Sequence, residues 1–186
     1  ARSYAKSISS EDGIDLSLKV AMNSPTFGSN YTYTNYSANA ATYLPAPLPH
    51  HVLTPKLYGF YSRGEQLEQS NFSWKYLPIR GYPSTDLSGN KGALLSTDYR
   101  FPLLYPETGF LFGGSFFDKL WGSLFYDLGG ATFEQASNIK LKRSYGAELN
   151  LGTQLFWGYY WFNLKMVYAK GLDEGGEEGI YFTIEM

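Results

Sequence analysis

The sequence predicts an all-β chain, an antiparallel transmembrane β-barrel of about eight meander strands, and three observations predict it. Apolar and polar residues alternate with period two over one segment after another. Aromatic residues are abundant, with 17 Tyr, 13 Phe and 4 Trp spread among 20 Gly, a mix that suits sheets with interfacial anchors. No stretch approaches the roughly 18 consecutive apolar residues of a membrane-crossing helix, so a membrane would be met by strands. The mildly negative mean hydropathy agrees, because a barrel strand is apolar only at every second position.

At 186 residues the chain has the length of one unit. A formal charge of -2 and the lack of any basic run exclude a nucleic-acid partner. Without Cys there is no disulfide framework and no thiolate metal site. The first residues carry no charged-then-apolar leader pattern.

In chain order, Ser9 to Gly13 is a turn signal, and from Ile14 the alternation is clean. Ile14, Leu16, Leu18, Val20 and Met22 share one face, with Asp15, Ser17, Lys19 and Ala21 on the other. A loop over 23–30 leads to a strand from Tyr31 to Leu44. Pro45, Pro47 and Pro49 make a turn, and a strand runs from Val52 to about Arg63. The segment Gly64 to Lys91 is long for a structureless connection, and Trp74, Tyr76, Ile79 and Tyr82 give it anchors that must pack on something.

Five alternating strands follow. Their outward sets are Leu95, Thr97, Tyr99, Phe101; Leu120, Leu124, Tyr126, Leu128; Ala147, Leu149, Leu151; Phe162, Leu164, Met166, Tyr168; and Ile180, Phe182, Ile184, Met186. Their inward sets carry Ser96, Asp98, Arg100; Ser123, Phe125, Asp127; Glu148, Asn150, Gln154; Asn163, Lys165; and Tyr181, Thr183, Glu185. Two of these strands offer a carboxylate, Asp98 and Asp127, to an inward-folded Arg80. Recurrent mid-strand charge on one face reads as a hydrated lumen, and Phe156 to Trp161 reads as an interfacial girdle.

Four stretches in order, Ile79-Arg80-Gly81-Tyr82, Ser96 to Leu103, Leu124 to Gly129 and the terminal strand, resemble the C-terminal barrel of the bacterial surface antigen superfamily, that of the BamA and TamA outer-membrane assembly proteins. The resemblance covers about residues 50 to 186. It implies a loop lock in which Arg80, Gly81 and Tyr82 fold into the lumen and Arg80 pairs with Asp127 of the Asp-x-Gly strand that ends in Gly129, with Asp98 nearby. It also implies an assembly β-signal at Glu177, Gly179, Phe182 and Ile184. The family barrel has sixteen strands, so this chain is expected to be a half-barrel in one domain, 1–186, with 64–91 as the lumen-folded loop. An eight-stranded ring is too narrow to hold that loop.

The expected role is that of a bacterial outer-membrane protein inserting or passing client polypeptides without chemistry. The second expectation is a structural or binding barrel that anchors a periplasmic module. Implied partners are the lipid bilayer (lipopolysaccharide and phospholipid), a second half-barrel chain or a homo-oligomer, and client outer-membrane proteins; no cofactor is implied. His50 and His51 are adjacent and lack a spaced third ligand, so they read as a turn rather than a metal site. Gly89 to Gly92 lacks phosphate-loop spacing, and the acidic run Asp173 to Glu178 reads as solvated. No Ser/His/Asp order stands out, and a lipid-ester hydrolase built on His50 or His51 is the enzymatic alternative.

Overall fold

The computed structural model describes residues 1–3, 7–30, 32–64, 75–83, 87–110, 114–156 and 160–185. Tyr31, Trp74, Trp157 to Tyr159 of the proposed girdle, and Met186 lie outside the described residues.

The strands are β1 (Gly13–Asn23), β2 (Tyr33–Pro45), β3 (Val52–Gly64), β4 (Lys75–Tyr76), β5 (Ser88–Gly89), β6 (Lys91–Leu104), β7 (Thr108–Phe110), β8 (Ser115–Thr132), β9 (Lys142–Leu155), β10 (Tyr160–Gly171) and β11 (Glu178–Glu185). One antiparallel sheet runs in the order β1-β2-β3-β6-β8-β9-β10-β11, with β7 added alongside β8, while β4 and β5 form a separate two-stranded ribbon. Each long strand thus lies beside its neighbour in sequence, as expected where short connections join antiparallel strands. Register shifts interrupt the ladder between Pro102 and Leu104 and between Phe117 and Lys119. The proline, which has no N–H to donate, accounts for the first.

Period-two alternation sorts the side chains. The inner face of β3 is Val52, Thr54, Phe60 and Ser62, all buried, and that of β8 includes Ser123, Phe125 and Asp127. The outer face is apolar and open: Ile14, Leu16, Leu18, Val20 and Met22 are 55–74% exposed, and Ile180, Phe182 and Ile184 are 62–75% exposed. Two apolar clusters lie on the inner side, one of Phe60, Leu77, Ile79, Leu87 and Leu94, the other of Phe125, Val167 and Ala169.

The sheet corrects the expectation of a transmembrane β-barrel, whole or as half of a sixteen-stranded one. Among the described residues β1 pairs with β2 alone and β11 with β10 alone, so the order is open at both ends and closes into no barrel. Free edges are excluded from hydrocarbon, where each unpaired backbone group costs several kcal/mol. The charged inner face is not a hydrated lumen either, because its charges are buried in ion pairs. An outer-membrane location, insertion or passage of clients, and anchoring of a periplasmic module all rested on that closed membrane-spanning wall and are withdrawn with it. Alternation tells which face a side chain takes; a face filled by salt bridges and a wet lumen produce the same pattern. Among the described residues no helix is long and apolar enough to cross a membrane.

Candidate functional site: the buried Arg80 lock

Three apolar residues between β4 and β5, Leu77, Ile79 and Leu87, lie on the inner face. Leu77 is fully buried, with Ile79 at 3% and Leu87 at 2% exposure, and all three pack on Phe60 and Leu94 of β3 and β6. The Leu77 N–H donates to Leu87 O (3.0 Å) and the Ile79 N–H to Leu77 O (2.9 Å). These bonds hold the backbone in a tight bend. Gly129 of β8 makes room for it: a Cβ there would meet Ala93 O at 2.7 Å and the Ile79 Cδ1 at 3.1 Å.

With Ile79 seated, the next side chain is aimed along the inner face. Arg80 Nε donates to Asp127 Oδ2 (2.8 Å) and Nη2 to Asp127 Oδ1 (2.6 Å), the planar fork-to-fork pairing of a guanidinium with a carboxylate. Nη1 donates to Glu148 Oε1 (2.8 Å) on β9, and Nη2 also donates to Ser96 Oγ (2.9 Å) and lies 3.0 Å from Asp98 Oδ1, both on β6. The guanidinium carbon stands 3.5 Å from the centre of the Phe125 ring, a cation–π contact. Ser96 Oγ in turn donates to Asp127 Oδ1 (2.7 Å). One side chain therefore ties the bend to β6, β8 and β9.

The surrounding charges balance. Asp98 also receives Lys56 Nζ of β3 at 2.5 Å and has Arg100 Nη2 at 3.5 Å. Lys56, Arg80 and Arg100 thus face Asp98, Asp127 and Glu148. Burial works against the charge of Arg80, but the hydrogen bonds and charge of Asp127, helped by Asp98 and Glu148, outweigh it and hold the pKa above its ordinary value. Burial likewise opposes the Asp98 carboxylate, while Lys56, Arg80 and Arg100 prevail and hold its pKa below the ordinary range. A cavity of about 480 Å³ lies over this network, lined by Lys56, Arg80, Asp98, Asp127, Glu148 and Lys165 among others.

The turn itself is pinned from the far side. Gly81 has φ 81°, and a Cβ on it would come within 2.8 Å of Gly171 N. Its carbonyl accepts the Glu177 N–H at 2.9 Å. The Tyr82 hydroxyl donates to Arg143 O (2.9 Å) and accepts the Asp173 N–H (2.8 Å). Arg143 and Asp173 pair with each other at 2.8 Å, and this pairing raises the pKa of the first and lowers that of the second.

The structure therefore brings Arg80, Gly81, Tyr82, Asp98, Asp127 and Gly129 together. It adds Ser96, Lys56, Phe125, Arg100 and Glu148, which the motif did not single out. Alternation had put Ser96, Phe125, Arg100 and Glu148 on the inner face, and that shared face was the signal. Of the terminal set, Glu177 acts through its backbone on Gly81, whereas Phe182 and Ile184 point outward from an edge strand and nothing lies within 4 Å of a Cβ built on Gly179. His50 Nδ1 meets Glu11 Oε1 and His51 Nδ1 meets Tyr99 Oη, each at 2.8 Å, so the two rings serve different partners. Among the described residues no group of three or more His, Asp or Glu is placed to hold a metal ion.

No family model matches the chain, and no curated protein matches it. The resemblance to the bacterial surface antigen superfamily is corrected accordingly: with an open sheet and buried salt bridges, the four short motifs describe an all-β domain with an internal ion-pair lock rather than a member of that family.

Proposed function

We propose that the chain is a non-enzymatic β-sheet assembly module, a sheet whose shape is fixed by the Arg80 lock and whose partner is a second copy of itself. The observation that carries this reading is that, among the described residues, β1 and β11 are each paired on one side only and carry an exposed apolar outer row. Unpaired edges are templates for strand addition, and large exposed apolar surfaces mark contact sites. The two edges suit one another. The antiparallel path contains an even number of strands, so β11 of one copy laid beside β1 of another continues the alternation of directions. It also sets Ile180, Phe182 and Ile184 on the same face as Ile14, Leu16 and Leu18. Absence of chemistry is supported by the network, in which each carboxylate around Arg80 is engaged by a cation.

The chain has no Cys, so cysteines introduced at Leu18 and Phe182 report the contact cleanly. Disulfides formed between chains, with a sedimentation mass above that of one chain, are the expected result. A monomer that forms no such disulfide overturns the reading, and so does a chain that floats with phospholipid vesicles as a monomer, which would assign the apolar face to lipid.

A further inference from the structure

The other end of the inner face is occupied by the chain's own N-terminal residues. Ala1 N lies 3.2 Å from Asp15 Oδ1, and Arg2 and Asp12 form an antiparallel bridge, so residues 1–2 and Asp12 stand beside the start of β1. Residues 7–11 lie against the sheet. Lys119 Nζ of β8 donates to Ser7 O (2.8 Å), and Glu11 Oε1 accepts from Ser7 Oγ (2.7 Å) and lies 2.8 Å from His50 Nδ1. Ile8 is 6% exposed and Glu11 8%.

Ile8 forms part of the wall of a cavity of about 340 Å³, together with Lys119, Trp121, Trp161 and Asn163 among others. The composition of those walls suits a peptide. Trp121 and Trp161 take an apolar side chain, and Lys119 supplies a donor that already holds a backbone carbonyl. Asn163 gives its amide N–H to Asn150 Oδ1 (2.9 Å), and its own Oδ1, buried, has no hydrogen-bond partner, leaving an acceptor for a backbone N–H. Beside it, the Asn150 Nδ2 is also buried without a partner. Such groups are costly unless something satisfies them. The segment that borders the cavity contributes no strand to the sheet among its described residues: its backbone is held by the Arg2–Asp12 bridge and by Lys119 Nζ on Ser7 O.

We infer that this end of the inner face is a binding site for an extended peptide, occupied in cis by residues 7–11, and that its ligand is a polypeptide segment with an aliphatic side chain followed three residues later by a carboxylate. The aliphatic group takes the place of Ile8 on the cavity wall beside Trp121 and Trp161, and the carboxylate takes the place of Glu11 at His50. The tethered segment competes at high effective concentration, so a free peptide binds the native chain weakly. This site lies on the inner face and does not depend on edge pairing between copies.

The test uses the full chain and a fluorescent peptide of sequence Ser-Ile-Ser-Ser-Glu-Asp, read by anisotropy. Ile8→Asp should tighten peptide binding by about tenfold or more, since the competitor is removed, and Glu11→Gln, which leaves Ile8 in place, should tighten it to a smaller degree. Adding Trp161→Ala to either variant should abolish the gain, as should replacing the peptide's isoleucine with aspartate. Should Ile8→Asp fail to fold, judged by circular dichroism, the Glu11→Gln chain decides. No gain in affinity from a folded variant, or a gain that Trp161→Ala leaves intact, overturns the inference.

Discussion

Arg80 grips Asp127 through both carboxylate oxygens, Nε on Oδ2 at 2.8 Å and Nη2 on Oδ1 at 2.6 Å, across 47 residues of sequence. The Asp127 side chain is 1% exposed and that of Arg80 18%. A buried pair of this kind gains little net stability over an apolar alternative, yet losing one partner leaves the other charge stranded. Its effect is to fix one arrangement of the bend on the sheet.

Arg80→Ala should therefore destabilise the chain by about 3–5 kcal/mol, because Asp127, Asp98 and Glu148 lose their shared counter-charge together. Arg80→Lys should recover only part of the loss, since an ammonium cannot make the forked contact or stack on Phe125 in the same way. Urea titrations give the energies, and limited proteolysis between Gly64 and Lys91 reports release of the segment. Unchanged cleavage in Arg80→Ala would show that the apolar seat of Leu77, Ile79 and Leu87 holds the bend without the arginine.

The turn beside the lock should be sensitive in its own right. Gly81→Ala forces a Cβ onto a backbone with φ 81° and toward Gly171 N, for a cost of about 1–3 kcal/mol. Tyr82→Phe removes a hydroxyl that bridges Arg143 O and Asp173 N and should cost about 0.5–1.5 kcal/mol. A Gly81→Ala chain as stable as the native one in urea would mean that the turn relaxes freely and positions nothing.

The strands and the two faces were legible because period two follows directly from the pleat, and the charged residues of the lock all stand at positions of inner parity. Asp127 and Asp98 were legible as partners of Arg80 for that reason. Glu148 and Lys56 were not picked out, since parity gives a face but no height along it, and which carboxylates reach one guanidinium depends on strand register. What lay beyond the edges was illegible. Nothing in the sequence of β1 or β11 says whether a neighbour pairs with it, so a barrel was read from alternation and aromatic anchors, which an open sheet shows equally, and from likeness to a family. The short strands β4, β5 and β7 were missed because two or three residues are too few to show a period. The burial of Ile8 and Glu11 was illegible, because a single aliphatic residue among serines carries no pattern.

Acid should loosen the lock in a defined direction. The folded pKa of Asp98 lies below the ordinary 3.8, so its contribution is complete above that value and is lost as the pH falls from there through the depressed one. Arg80 stays charged throughout. The urea midpoint should thus be lower at about pH 3 than at neutral pH, and Asp98→Asn, already less stable at neutral pH, should show a smaller further drop. An equal acid drop in the native and Asp98→Asn chains would place the titration elsewhere, for instance at Glu185 or Glu178, whose pKa values are also lowered by their lysine partners.

Adjacent residues on β9 separate the two faces. Asn150 is fully buried on the inner side, with its Oδ1 accepting from Asn163, whereas Leu149 is 37% exposed on the outer side. A closed barrel in lipid would make Leu149→Arg the costly change and Asn150→Arg the mild one; the open sheet with a packed inner face reverses the order. Asn150→Arg must bury a cation beside Trp121 and Lys165, its cross-strand neighbours, without a free carboxylate to meet it, and should cost at least about 3 kcal/mol or prevent folding. Leu149→Arg replaces a partly exposed side chain and should change the stability of the single chain by less than about 1 kcal/mol, while weakening any association that covers the outer face. Urea titration of both variants, with sedimentation of Leu149→Arg, reads the contrast. If Leu149→Arg proves the more destabilising of the two, the outer row is buried in the native state of a single chain and the assignment of faces fails.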